Sequence, residues 1–184
     1  MKAKRSAALQ SGTLGAAAHP DSVREFLRVG IGNDVHRLAT GRKLVLGGVR
    51  ISFDKGPVGH SDGDALAHAI CDALLGAAAL GDIGFHFPNT SRRWKNTSSL
   101  QFLRHVRKLL ELRGYAIVNI DATVGIEEPK LAPYILRMRK KIATALGLKP
   151  GQVSVKAKSG EGLDAVGRGE AVRADAIALV ARSS

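Results

Sequence analysis

The sequence predicts an α+β fold, a single mixed β-sheet with helices packed on one face. Three observations predict it. β-forming runs stand at both ends of the chain, amphipathic helical runs are grouped between them, and 184 residues suit a single domain. No helical run is left over to cover the second sheet face, so self-association is expected to bury it.

The elements follow from the N-terminus. Residues 1–27 differ from the rest: Met1–Pro20 has three basic residues, no acid, and much Ala, Ser and Gly. This stretch is expected to be a disordered basic extension, a linker or a transit-type segment, with the folded domain at 28–184. Arg28–His36 reads as a strand, with Val35 facing the core. Leu44–Leu46 and Val49–Ile51 flank Gly47-Gly48, a two-residue hairpin signal. Ser52–Gly63, with its Gly, Pro and Asp, reads as a loop. Asp64–Leu80 is an Ala- and Leu-rich helix stopped by Gly81. Gly84–Lys95 is expected to be a mobile polar loop. Asn96–Arg113 is a second helix capped by Thr97 or Ser98, with Leu100, Leu103, Val106, Leu109 and Leu110 on one face. Tyr115–Ile126 is a strand, Pro133–Leu146 a third helix ending at Gly147, and Val153–Ala157 and Ala171–Val180 the closing strands.

Composition narrows the function. With 45% hydrophobic residues the chain can bury a core, so wholesale disorder is excluded. Its longest weakly polar run, Ala65–Leu80, contains His68 and Asp72 and is too short to span a bilayer. One cysteine rules out an internal disulfide framework or a Cys-rich zinc site. The formal net charge of +12 suggests an anionic partner. Yet the basic stretches, Arg92–Arg113 and Lys130–Lys141, carry few interleaved aromatic residues and so form no stacking platform for nucleic acid. The acids collect instead at Asp34, Asp62, Asp64, Asp72 and Asp82, near His36, His60 and His68. A basic exterior around an acid/histidine cluster points to an enzyme that handles an anion through a metal, with no nucleic acid and no membrane as partner.

Three motifs carry that chemistry. In Asp34-Val35-His36, positions i and i+2 of a strand share a face, so carboxylate and imidazole can converge on one ion. In His60-Ser61-Asp62-Gly63-Asp64, a glycine-containing loop leads into a helix whose N–H groups attract anions. His68 follows one turn later, on the face that holds Asp64 and Asp72. Two histidines and a carboxylate leave one tetrahedral zinc position open for substrate. By the plainer reading, Asp64 is a helix cap, Asp72 lies on an exposed stripe, and His68 is satisfied by either. In Lys156-Ala157-Lys158-Ser159-Gly160-Glu161, basic and hydroxyl groups before glycine suit a phosphate, and Glu161 suits a hard divalent cation. An ordinary polar turn is the alternative.

The phrases His60-Ser61-Asp62-Gly63-Asp64, Asp72-Ala73-Leu74-Leu75-Gly76-Ala77-Ala78-Ala79-Leu80-Gly81-Asp82-Ile83-Gly84 and His86-Phe87-Pro88 closely resemble the 2-C-methyl-D-erythritol 2,4-cyclodiphosphate synthase family of the non-mevalonate isoprenoid pathway. The likeness runs from Arg28 to Ala181. It implies Zn²⁺ on Asp34, His36 and His68, with Asp34 and His36 also bordering substrate. It implies catalytic roles for His60 and Ser159, and phosphate contacts from His60 and Ser61. Asp82, Gly84, Phe87, Asn89 and Ser91 are implied along the methylerythritol portion. The cytidine side is implied at Ile126, Pro129, Lys130, Leu131, Lys158 and Ser159, Glu161 would hold Mg²⁺ or Mn²⁺, and Arg168 would lie near the nucleotide phosphate. The family also implies a homotrimer with sites between subunits, and a cytoplasmic location, or a plastid-type organelle if residues 1–27 are a transit segment.

Four positions depart from the family pattern. Asn89 replaces a usual acid and Ser159 a common threonine. Asn33 and Ala165 replace aromatic residues of a central cavity, which weakens any carry-over of isoprenoid-diphosphate binding. The implied reaction expels CMP as the substrate's own 2-phosphate attacks the β-phosphorus. Competing readings are a zinc phosphohydrolase that activates water, a non-catalytic isoprenoid-diphosphate binder, and a basic nucleic-acid module.

Overall fold

The computed structural model describes residues 27–94 and 97–182. The extension expected at 1–27 therefore lies, except for Leu27, outside the described residues. Among the described residues there are seven strands: β1 (Leu27–Thr40), β2 (Leu44–Leu46), β3 (Val49–Ile51), β4 (Lys55–Pro57), β5 (Tyr115–Gly125), β6 (Val153–Lys158) and β7 (Ala171–Arg182). Helices α1 (Ala65–Ala77), α2 (Ile83–His86), α3 (Leu100–Leu112) and α4 (Ile135–Leu146) separate them. One sheet has the order β4-β1-β7-β5-β6, and β2 and β3 pair as a separate hairpin. β5 and β6 run parallel, with α4 in the connection between them, while every other pairing is antiparallel. The expected mixed sheet with helical cover is present.

Helix α1 is the centre of the core. Ala65, Leu66, Ala67, Ala69, Ile70, Cys71, Ala73, Leu74 and Leu75 are all fully buried. This nearly all-apolar helix packs on β1 and β7, and glycines let it sit close. A Cβ on Gly30 would lie 2.0 Å from the Ala73 carbonyl oxygen, and one on Gly32 would lie 2.1 Å from that of Ala69. Helix α3 buries Phe102, Leu103, Val106 and Leu110, each contributing roughly 1.5–3 kcal/mol when withdrawn from water. Helix α4 adds Met138, Ile142, Ala143, Ala145 and Leu146 and ends at Gly147, whose φ of 69° is left-handed. No helix among the described residues is long and apolar enough to cross a membrane.

Alternation along β1 sorts its side chains. Gly30 and Gly32 face α1, whereas Val29, Ile31 and Val35 face outward and are exposed. Val35 does not face the core as expected; it is 63% exposed, because the i and i+2 positions that do turn inward are Asp34 and His36. Ile177, the cross-strand partner of Ile31, is also exposed. The outer face is thus apolar at its centre, with Arg173–Asp175 and Lys156–Asp121 ion pairs beside it.

Other expectations shift at element ends. Ser52–Gly63 is not all loop, since Lys55–Pro57 pairs with Leu38–Thr40. Nor is Gly84–Lys95 a plain loop. Asp82 accepts a hydrogen bond from the Phe85 N–H at 2.8 Å and starts α2, and a 3₁₀ turn forms at Arg92–Trp94. Helix α3 begins after Ser99 rather than Thr97 or Ser98. The Thr97 hydroxyl donates back to the Arg93 carbonyl instead.

Candidate metal centre and substrate cleft

Asp34 and His36 project inward from β1 toward α1, where His68 stands one turn from the helix start. The Nδ1 atoms of His36 and His68 each lie 3.0 Å from Oδ2 of Asp34. Donor atoms of the three residues lie within 4.8 Å of one another. For His68 the contact is a hydrogen bond. His36 Nδ1 is misaligned for one and, buried, has no hydrogen-bond partner.

Burial alone would raise the Asp34 carboxyl, but the two imidazoles outweigh it and hold the group well below the ordinary carboxylate range. Burial opposes charge on His68, yet Asp34 raises its pKa above the usual 6.5. The donor set fits zinc. Tetrahedral ligands about 2 Å from the metal stand roughly 3.3 Å apart, close to the two contacts to Asp34, and the buried His36 Nδ1 is left without a hydrogen-bond partner.

The cluster opens on a cavity of about 530 Å³ lined by His36, His60, Ser61, His68, Ile83, Gly84, Phe87, Pro88, Asn89, Thr90, Trp94 and Phe102. Of the residues named for substrate from sequence, His36, His60, Ser61, Gly84, Phe87 and Asn89 line it. Asp82 is occupied as the cap of α2. Ser91 contributes its carbonyl, 3.3 Å from Nε2 of His60. The aromatic wall went unread in the sequence: Phe87 stacks on Phe102 with centroids 4.4 Å apart, and Trp94 meets both edge-on. Phe102 sits at an inward position of α3, a signal that its helical spacing carried.

Asp64 takes up one of the N–H groups at the start of α1, that of Ala67. Asp64 is wholly buried, and its carboxylate accepts from the N–H groups of Gly47 at 2.9 Å, Gly48 at 2.6 Å and Ala67 at 3.1 Å. It caps the helix and ties the β2–β3 hairpin to it. Burial and the nearby Asp62 charge push its pKa up to about 6, against the pull of those three N–H donors. Asp72 is likewise structural, since its Oδ1 accepts from the Ile83 N–H at 2.7 Å.

The remaining named residues lie elsewhere. Ile126, Pro129, Lys130, Leu131, Lys158 and Ser159 line a second, smaller cavity of about 180 Å³ with Glu127 and Ala132. The Ser159 hydroxyl donates to Glu161. Arg168 pairs with Glu170, two of its nitrogens each 3.2 Å from a carboxylate oxygen. Register links the two cavities: Asp34 pairs with Ala174, Ala174 with Val124, and Val124 with Ala157. Asp34 and Ala157, one at each cavity, thus share a row of the sheet, about 14 Å apart at three strand spacings.

A family model described as the YgbB family matches residues 27–181. The chain belongs to the YgbB family. Among YgbB relatives, the 2-C-methyl-D-erythritol 2,4-cyclodiphosphate synthase of Alkaliphilus metalliredigens is 56% identical over 157 residues, 85% of this chain and 99% of the relative. The structure described as IspF of Plasmodium falciparum in complex with CDP superposes with a TM-score of 0.76 at 34% identity, covering 86% of this chain and 97% of that one. The bifunctional IspDF of Campylobacter jejuni gives a TM-score of 0.82 at 37% identity, covering 85% of this chain but only 43% of that longer one.

Proposed function

We infer that this chain is a 2-C-methyl-D-erythritol 2,4-cyclodiphosphate synthase of the non-mevalonate pathway to isoprenoid precursors. It closes the 2-phosphate of 4-diphosphocytidyl-2-C-methyl-D-erythritol 2-phosphate onto the β-phosphorus and releases CMP. The observation that carries the reading is the convergence of Asp34, His36 and His68 at the mouth of a substrate-sized cavity. The near full-length likeness to a curated synthase supports it.

The chemistry needs few protein groups. A phosphate with a second pKa near 6 is already an anion at neutral pH, so no protein nucleophile or base is required. An oxygen of the 2-phosphate forms the new P–O bond, the bond from the β-phosphorus to CMP breaks, and CMP leaves as an anion. Positioning and charge neutralisation are the protein's tasks. Asp34, His36 and His68 would hold Zn²⁺, which when bound supplies positive charge beside the phosphoryl oxygens. His60 and Ser61 border the same space and can donate to those oxygens. The wall of Phe87, Trp94 and Phe102 gives one side of the cavity an apolar surface.

Lys130, Lys158 and Ser159 suit the nucleotide and its phosphates, and Glu161 suits Mg²⁺ or Mn²⁺. The end of β6 that leads into this segment lies three strand spacings, about 14 Å, from Asp34, which suits a cleft shared between subunits better than one within a chain. A homotrimer supplies that cleft, and the exposed Val29, Ile31, Val35 and Ile177 of the outer face suit burial against neighbours. The reading goes with a cytoplasmic location, or a plastid-type organelle if residues 1–27 are a transit segment.

The test is phosphorus NMR of the reaction with the diphosphocytidyl substrate. Equal amounts of CMP and a cyclic diphosphate are expected. Release of inorganic phosphate in place of the cyclic product would mean a phosphohydrolase.

A further inference from the structure

Behind His68, on the side away from Asp34, lies a hydrogen-bond chain that the reaction itself does not call for. His68 Nε2 is 2.9 Å from the Ser99 hydroxyl, and that hydroxyl donates to Oδ1 of Asp62 at 2.5 Å. Oδ2 of Asp62 also accepts from the Ser99 N–H at 3.0 Å, so the carboxylate grips the serine through both side chain and backbone. Ser99 is wholly buried although it is polar. It stands at the start of α3 but makes no side-chain capping bond there. Its hydroxyl is therefore not spent on the helix.

We propose that Ser99, oriented by Asp62, is a positioning residue that fixes the His68 ring so that its Nδ1 lone pair faces the metal. The logic follows from donor counting. A hydroxyl has one proton, and the short contact to Asp62 claims it. Toward His68 the oxygen then presents only lone pairs, so Nε2 must carry hydrogen. Nδ1 points to Asp34 and His36; without metal it donates to the Asp34 carboxylate, and with Zn²⁺ bound its lone pair would be turned to the ion. Ser61 also approaches Nε2, at 3.2 Å, and lies 3.5 Å from the Ser99 oxygen. Its hydroxyl is bound to no carboxylate, which leaves it free to turn toward a phosphate in the cleft. One serine thus orients the ligand while its neighbour serves the substrate. Outer partners of this kind govern metal affinity by about 10–100-fold.

The inference rests on the zinc reading above, and its test separates the two. Zinc affinity is measured by chelator competition on the wild type, Ser99→Ala, Asp62→Asn and His68→Ala. Nitrogen NMR of the zinc-loaded wild type reports which His68 nitrogen carries hydrogen. The expected results are a hydrogen on Nε2, and zinc binding weakened about 10–100-fold in Ser99→Ala, with Asp62→Asn weakened in the same direction. Ser99→Ala binding zinc as the wild type does would overturn the role of Ser99 while leaving the metal centre intact. So would a zinc-loaded wild type whose His68 Nε2 carries no hydrogen, a result that needs no variant to fold. A wild type that binds no zinc would overturn the metal centre itself, and with it this role.

Discussion

A methyl group on Gly32 would stand 2.1 Å from the carbonyl oxygen of Ala69. That approach of strand to helix brings His68, the residue before Ala69, within reach of Asp34. Gly32→Ala must push β1 and α1 apart. It is expected to cost about 1–3 kcal/mol of stability and to weaken zinc binding. Gly76 on the same helix is the control, because its added Cβ would meet only the Ile31 carbonyl at 3.8 Å. Gly76→Ala should be neutral or stabilise by up to about 1 kcal/mol. Denaturant unfolding of both variants checks the contrast.

Removing a ligand should abolish turnover without unfolding the chain. Asp34 and His68 lie at the cleft, and neither belongs to the hydrophobic core. Asp34→Ala and His68→Ala are each expected to lower turnover by at least about a hundredfold while circular dichroism stays native. A variant that keeps wild-type rates with no bound zinc would contradict the assignment.

Stability should depend on pH in opposite senses with and without zinc. His68 in the metal-free fold has its pKa raised above 6.5. Its contribution is complete below about 6.5 and is lost as pH rises through the higher folded value. Zinc needs that imidazole neutral, so protons compete with it. The rise in Tm on adding zinc should therefore widen from pH 6 to pH 8. Thermal scans at matched zinc check this, and a constant increment would contradict it.

Mixed oligomers should regain activity. If the cleft joins the zinc residues of one chain to the Lys158–Glu161 segment of another, a His36→Ala chain and a Glu161→Ala chain can build an intact site together. Mixing the two inactive variants under conditions of subunit exchange should restore part of the wild-type rate. No recovery despite exchange would mean that each site is built within one chain.

Much of this was legible because it rests on short-range pattern. Asp34-x-His36 converges through strand alternation, Gly47-Gly48 turns as its type predicts, and α1 follows from an unbroken run of Ala and Leu. What escaped depends on distant partners. Val35 reads as core by hydropathy, yet alternation commits it to the outer face once Asp34 and His36 turn inward. Asp64 reads as a helix cap, but it also reaches back to the N–H groups of Gly47 and Gly48. The aromatic wall draws Phe87, Trp94 and Phe102 from separate segments, and no local spacing joins them. Ser99 and Asp62 meet across 37 residues, so only folding shows that they share His68.

The central claim is that one metal ion is held jointly by strand β1 and helix α1. X-ray absorption of the zinc-loaded protein tests it most directly. The account predicts one zinc per chain, with two imidazole shells and an oxygen at about 2.0–2.2 Å, and one imidazole shell fewer in His68→Ala. A wild-type spectrum without histidine scattering, or one unchanged by that substitution, would contradict it.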